Sequence, residues 1–149
     1  MIKKKIIIFS IIFFLTNCGF APIYLKNENM NFSIENVDYT GDKELNNFLK
    51  LSLNNYRNKD SINKFFIEAK SEYTKVALSK NTAGEVTNYQ LEARVLFLIK
   101  PINKKISITE KQIIESIDDK FEEARYERTI KQNFAYSISE KLSSELVVN

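Results

Sequence analysis

Cys18 is the only thiol in the 149 residues, and the chain carries no histidine and no tryptophan. The chemistry open to a lone thiol is narrow: it can be alkylated, acylated or oxidised, and it cannot close a disulfide within its own chain. Without histidine the commonest general base is missing, and with one cysteine the usual ligands of a zinc site are missing too. The acidic pairs Asp118-Asp119 and Glu122-Glu123 are the best remaining catalytic constellation. Consecutive acids point in different directions on a helix and more often cap it or face water. These residues predict no catalytic site, no metal site and no cofactor beyond what becomes joined to Cys18.

The surroundings of Cys18 say what that is. Lys3, Lys4 and Lys5 precede an almost unbroken apolar run from Ile6 to Leu15, the basic and hydrophobic regions of a secretory signal. Ten apolar residues at about 1.5 Å each reach only half of a ~30 Å hydrocarbon core, so this run is too short for a permanent span. Leu15-Thr16-Asn17-Cys18 resembles a bacterial lipobox, in which the cysteine thiol is joined to a diacylglyceryl group and the signal is cut just before it. The expectation is residues 1–17 as a lipoprotein signal, 18–31 as a lipidated tether and 32–149 as one domain. Thioether attachment also removes an oxidisable thiol from an exported chain. Two or more fatty chains, at about 0.8 kcal/mol per buried methylene, anchor a protein stably, with palmitate-type acyl groups doing the holding. In the tether, Phe20, Pro22, Ile23 and Tyr24 are too apolar for a mere linker. Such a cluster dips into the membrane interface, covers its own domain or docks on a partner, and Phe20, Pro22 and Tyr24 are the partner-facing candidates.

Removing residues 1–17 leaves 132, enough for one core and too few for two. Losing the three signal lysines brings the 22 Lys+Arg level with the 19 Asp+Glu. A neutral domain argues against nucleic-acid binding, which normally needs an excess of basic charge.

The elements follow from periodicity. Phe32, Ile34, Val37 and Tyr39 alternate with polar residues except for one slip near Asn36, which predicts a strand. Thr40-Gly41-Asp42 ends it and caps a helix whose stripe is Leu45, Phe48, Leu49, Leu53 and Tyr56. Phe65, Ile67, Ala69, Ser71 and Tyr73 form the inner face of a second strand, after which Val76 and Leu78 change phase and predict a bulge or twist. A polar turn at Ser79 to Gly84 leads to a third strand with Thr87, Tyr89, Leu91, Ala93, Val95, Phe97 and Ile99 inward. Pro101 breaks that strand, and a fourth runs from Ile106 and Ile108 through Ile113, Ile114 and Ile117, with its register loose after Glu110. Asp118 and Asp119 cap or precede a last helix with Ile130, Phe134, Ile138, Leu142 and Leu146 on one stripe, supported by Ala135. Charge placed at Phe134 or Ile138 is expected to unfold the domain, and Ser139, off that stripe, to accept it. The fold class is α+β in the order β-α-β-β-β-α: two amphipathic helices on one face of a four-stranded, largely antiparallel sheet. The other sheet face, polar and charged, is left to water or a partner.

At this point the chain resembles the lipopolysaccharide-assembly lipoprotein (LptE) family. Cys18-Gly19-Phe20-Ala21-Pro22-Ile23-Tyr24 is similar to the family's Cys-Gly-Phe-x-Pro-Leu-Tyr opening. Phe121-Glu122-Glu123-Ala124-Arg125-Tyr126-Glu127-Arg128, leading into the final helix, is similar to its alphaproteobacterial branch. The resemblance implies an outer-membrane lipoprotein, anchored on the periplasmic side, that plugs the β-barrel of the lipopolysaccharide translocon (an LptD-like subunit), helps it fold and supports lipopolysaccharide insertion. Lys75, Lys80, Arg94, Lys100, Lys104 and Lys105 lie near the strands and their turns, where they could meet lipid phosphates. The competing function is a periplasm-facing ligand-binding or other envelope-assembly lipoprotein without a barrel partner, which needs a concave apolar pocket with converging polar groups.

Overall fold

The slip near Asn36 is a β-bulge. In the computed structural model, which describes residues 31–147, Ile34 lies opposite Phe65 and Asn36 opposite Phe66, so Glu35 is the extra residue. The bulge returns Val37 and Tyr39 to the side of Phe32 and Ile34. Strand β1 (Phe32–Gly41) is followed by α1 (Lys43–Leu53), a 3-10 turn at Asn54–Tyr56, β2 (Asn63–Lys80), β3 (Val86–Lys100), β4 (Lys104–Glu115) and α2 (Lys120–Val147). The sheet order is β1-β2-β3-β4. β1 runs parallel to β2 because α1 is the crossover between them, and the other two pairings are antiparallel. The expected element order and fold class are those observed. Cys18, Phe20, Pro22 and Tyr24, with all of the expected signal and most of the expected tether, lie outside the described residues.

The β1-to-α1 corner shows why these residues stop one element and start the next. Gly41 has φ +97°, and a Cβ there would lie 1.8 Å from the Ser71 carbonyl oxygen of β2. Only glycine lets the chain pass so close and turn. Asp42 N–H then donates to that same Ser71 oxygen (3.2 Å), and the Asp42 carboxylate accepts from Leu45 N–H (2.7 Å) as the helix cap. The buried Ser71 hydroxyl lies within bonding distance of the Thr40 and Asp42 carbonyls (3.2 and 3.3 Å), fastening the corner to β2.

The core lies between the sheet and the helices. Leu45, Leu49 and Leu53 of α1 and Ile130, Phe134, Ile138, Leu142 and Leu146 of α2 close over Leu91, Ala93, Val95, Phe97 and Ile99 of β3. Each large buried side chain contributes about 1.5–3 kcal/mol of hydrophobic stabilisation, so the two helical stripes are what hold the layers together.

Two expectations need correction. The pairing of β2 with β3 runs without a shift from Phe66 to Ala77, so no bulge intervenes at Thr74. Val76 and Leu78 keep the phase of Phe66 and Glu68, and stand on the open face about half exposed. The irregularity comes later, between Ala77 and Lys80. Ser139 is fully buried, with its hydroxyl donating to the Ala135 carbonyl (2.7 Å), so it belongs to the buried face of α2. A serine there satisfies its own hydroxyl within the helix, which makes a polar residue type compatible with the core. The loose register of β4 is also settled: Glu110 and Gln112 keep the phase of Ile108 and Ile114, and Ile113 points to the open face, 62% exposed.

Candidate functional site

The sheet has one covered face and one open one. The open face has β1's Asn36 and Asp38, the even-numbered residues of β2 and β3, and the odd-numbered residues of β4. Its centre is charged: Glu92 holds Arg94 and Lys111, each at 3.0 Å, and Lys70 pairs with Glu72 at 3.5 Å. Its two ends are apolar. Phe66 and Leu96 are exposed at one, and Val76, Leu78 and Ile113 at the other, with Gln90 directly between Val76 and Ile113. The apolar ends depart from the polar and charged face expected from the sequence. Their signal was present in the uninterrupted even phase of Phe66, Val76 and Leu78.

The six basic candidates do not form one cluster. Lys75 is on the covered side, half-buried against α2, donating to Glu123 (2.8 Å) and Glu127 (3.0 Å), with its ammonium 4.4 Å from the centre of the Tyr89 ring. Lys104 is also on the covered side and pairs with Glu145 of α2 at 3.1 Å. Arg94 and Lys100 are on the open face, the second paired with Glu68, and the exposed Lys105 is there too, opposite Leu98. Lys80 is exposed at the far end of the β2-β3 hairpin. Nine residues of strand separate Lys75 from the Phe66–Lys100 pair, about 30 Å at 3.3 Å each, so no single small ligand touches all six.

The ionisable groups are arranged for structure. The Lys75 ammonium beside Glu123 holds that carboxyl down at about 2, with further help from the Ile117 N–H and Lys120 outweighing burial. Burial would lower Lys75, but its bonds to Glu123 and Glu127 outweigh it and hold it above its ordinary value. Lys111 and Arg94 hold Glu92 down, and Glu68 holds Lys100 up. Burial pushes Tyr39 up to about 12, against the opposing charge of Arg57, and burial together with Glu127 raises Tyr73 further. Each of these pKa values is moved away from pH 7, whereas a general acid or base works best with one near it. Among the described residues no group of three or more acidic or cysteine side chains could hold a metal, and no helix is long and apolar enough to cross a membrane.

The concave places among the described residues include three open grooves, one of them of about 610 Å³ at the tip of the β2-β3 hairpin beside Asp118 and Lys120. One of about 500 Å³ lies between the outer edge of β1 and α1, where Tyr39 and Arg57 sit, and one of about 640 Å³ lies at the end of the sheet beside Asn31. The helices cover one side of the sheet, and nothing among the described residues covers the other.

No family model matches the chain, and no curated protein does. Solved structures do. Rare lipoprotein B from Shewanella oneidensis superposes with a TM-score of 0.55 at 16% identity, over 74% of this chain and 92% of that one. An uncharacterized lipoprotein B from Nitrosomonas europaea gives 0.54 at 16% identity, over 78% and 85%. A minor lipoprotein from Acinetobacter baumannii gives 0.50 at 14% identity, over 75% and 94%. The chain therefore has the fold of these solved lipoproteins, which agrees with the lipoprotein resemblance of its opening and closing segments.

Proposed function

We propose that this chain is a non-enzymatic outer-membrane lipoprotein of the LptE kind, anchored through acyl lipid on Cys18, that assembles with and plugs the β-barrel of the lipopolysaccharide translocon. The observation that carries this reading is the coincidence of two independent likenesses. The described domain has the fold of rare lipoprotein B across most of both chains, and the residues before it include Cys18-Gly19-Phe20-Ala21-Pro22-Ile23-Tyr24, similar to the opening of the LptE family. The open sheet face supports it, since exposed apolar ends flanking a charged middle suit a partner that is itself part polar, such as a barrel wall facing water. Of the basic candidates, Lys80 and Lys105 are exposed, and Arg94 and Lys100 are exposed on the open face while paired with Glu92 and Glu68, whereas Lys75 and Lys104 are engaged by acids of α2.

Depletion of the protein tests the reading in cells. The expected result is less correctly folded translocon barrel and lipopolysaccharide retained behind the outer membrane. Unchanged barrel and unchanged surface lipopolysaccharide would instead leave an envelope lipoprotein with another ligand. Mass spectrometry of the membrane-extracted protein is expected to find Cys18 at the N-terminus with added acyl mass; an N-terminus at another residue would contradict a lipid anchor on Cys18.

A further inference from the structure

The groove beside Asn31 has a floor and a rim of different character. Phe32, Phe65 and Leu146 are buried beneath it, and the rings of Phe32 and Phe65 lie 6.1 Å apart, tilted at 51°. Ile62, Ile102 and Val147 stand around it exposed, Ile62 at 96%. Three large aliphatic side chains left in water around one apolar depression form a site for another apolar group. The chain enters the domain at this place, because Asn31 lines the groove and its carbonyl accepts from the Asn63 side-chain amide (2.9 Å).

We propose that the groove is the docking site of the chain's own segment Phe20-Ala21-Pro22-Ile23-Tyr24, laid into it from the tether. The chemistry of the two sides matches, with aromatic, prolyl and aliphatic groups meeting a floor of two phenylalanines and a leucine. The length also decides. Tyr24 is seven residues before Asn31, so it can be no more than about 25 Å from the groove however the intervening residues run, and it is at high effective concentration there. A separate partner would have to displace a tethered competitor of the same chemistry. The consequence is an orientation: Cys18 is two residues from Phe20, so docking holds the sheet end bearing Ile62 and Ile102 toward whatever Cys18 is attached to, and points the Asn81–Gly84 hairpin tip away from it.

Photo-crosslinking in intact cells tests this on the protein as made. With Tyr24 replaced by p-benzoylphenylalanine, irradiation is expected to join position 24 to the tryptic peptides 60–64 and 95–104 of the same chain, which carry Ile62 and Ile102. The exposed pair Ile62→Asp with Ile102→Asp leaves the core untouched and is expected to lower that yield by at least fivefold at unchanged protein level. A crosslinked species of twice the chain's mass would give the groove to a second copy. Crosslinks to another envelope protein or to lipid, or a yield indifferent to the Ile62/Ile102 pair, would likewise overturn the proposal.

Discussion

Glu123 carries a structural burden that its neighbour Glu122 does not. Glu122 is exposed and bonds Arg125 within its own helix, whereas Glu123 is buried and gathers Lys75, Lys120, the Ser116 hydroxyl and the Ile117 N–H. The first two turns of α2 bury no large apolar side chain before Ile130, so this network is what fastens them to the hairpin. Glu123→Gln is expected to cost about 1–3 kcal/mol near neutral pH, the range for a buried hydrogen-bonding group losing a charged partner. Because the folded carboxyl is held below its ordinary value, the stability it adds is present above about pH 4.5 and is lost as pH falls toward about 2. The gap between wild type and Glu123→Gln, followed by urea unfolding, should therefore shrink across that window; a gap that stays constant down to pH 2.5 would show that the charge is not what matters. The pairing of Glu123 with a lysine 48 positions away was invisible in the sequence, where both residues read as surface charge.

Elements were more legible than residues, for a physical reason. A strand or helix with one face in the core repeats its apolar residues at period 2 or 3.6, and α2's stripe and the inward residues of β3 did so without interruption. The misreadings fell where residue type and burial part company. Val76 and Leu78 are apolar on an open face, and Ser139 is polar in a closed one. Ser139→Asp should therefore destabilise the domain by about 3 kcal/mol or more by bringing an unpaired charge into the core, while Gln132→Asp on the exposed side of the same helix should stay within about 1 kcal/mol. Equal melting temperatures for the two variants would contradict the assigned helix face. The β1-to-α1 corner makes a second demand at this scale. Gly41→Ala places a Cβ on the Ser71 carbonyl at a positive φ, and a loss of at least about 2 kcal/mol in chemical unfolding is expected. A variant as stable as wild type would mean that β1 and β2 can separate at that point without cost.

At the scale of the whole molecule the helices cover one face of the sheet, and the other face presents Phe66 and Leu96 at one end and Val76, Leu78 and Ile113 at the other around a charged centre. The fold class was readable because strands and helices announced themselves in order. The parallel pairing of β1 with β2 follows from the helix that joins them. The pattern of the open face was not readable until the register of three strands was known, since Val76 and Ile113 are 37 positions apart and share only Gln90 between them. On the proposed function, this face and a lipid on Cys18 serve a stable one-to-one complex with a large outer-membrane β-barrel. Affinity purification of the tagged protein from membranes in mild detergent, with native mass spectrometry of what is retained, measures it most directly. The expected result is a single barrel protein recovered at equal stoichiometry, lost or weakened when Val76 and Ile113 are both changed to Asp; recovery of the lipoprotein alone, monomeric and without a barrel, would contradict the claim.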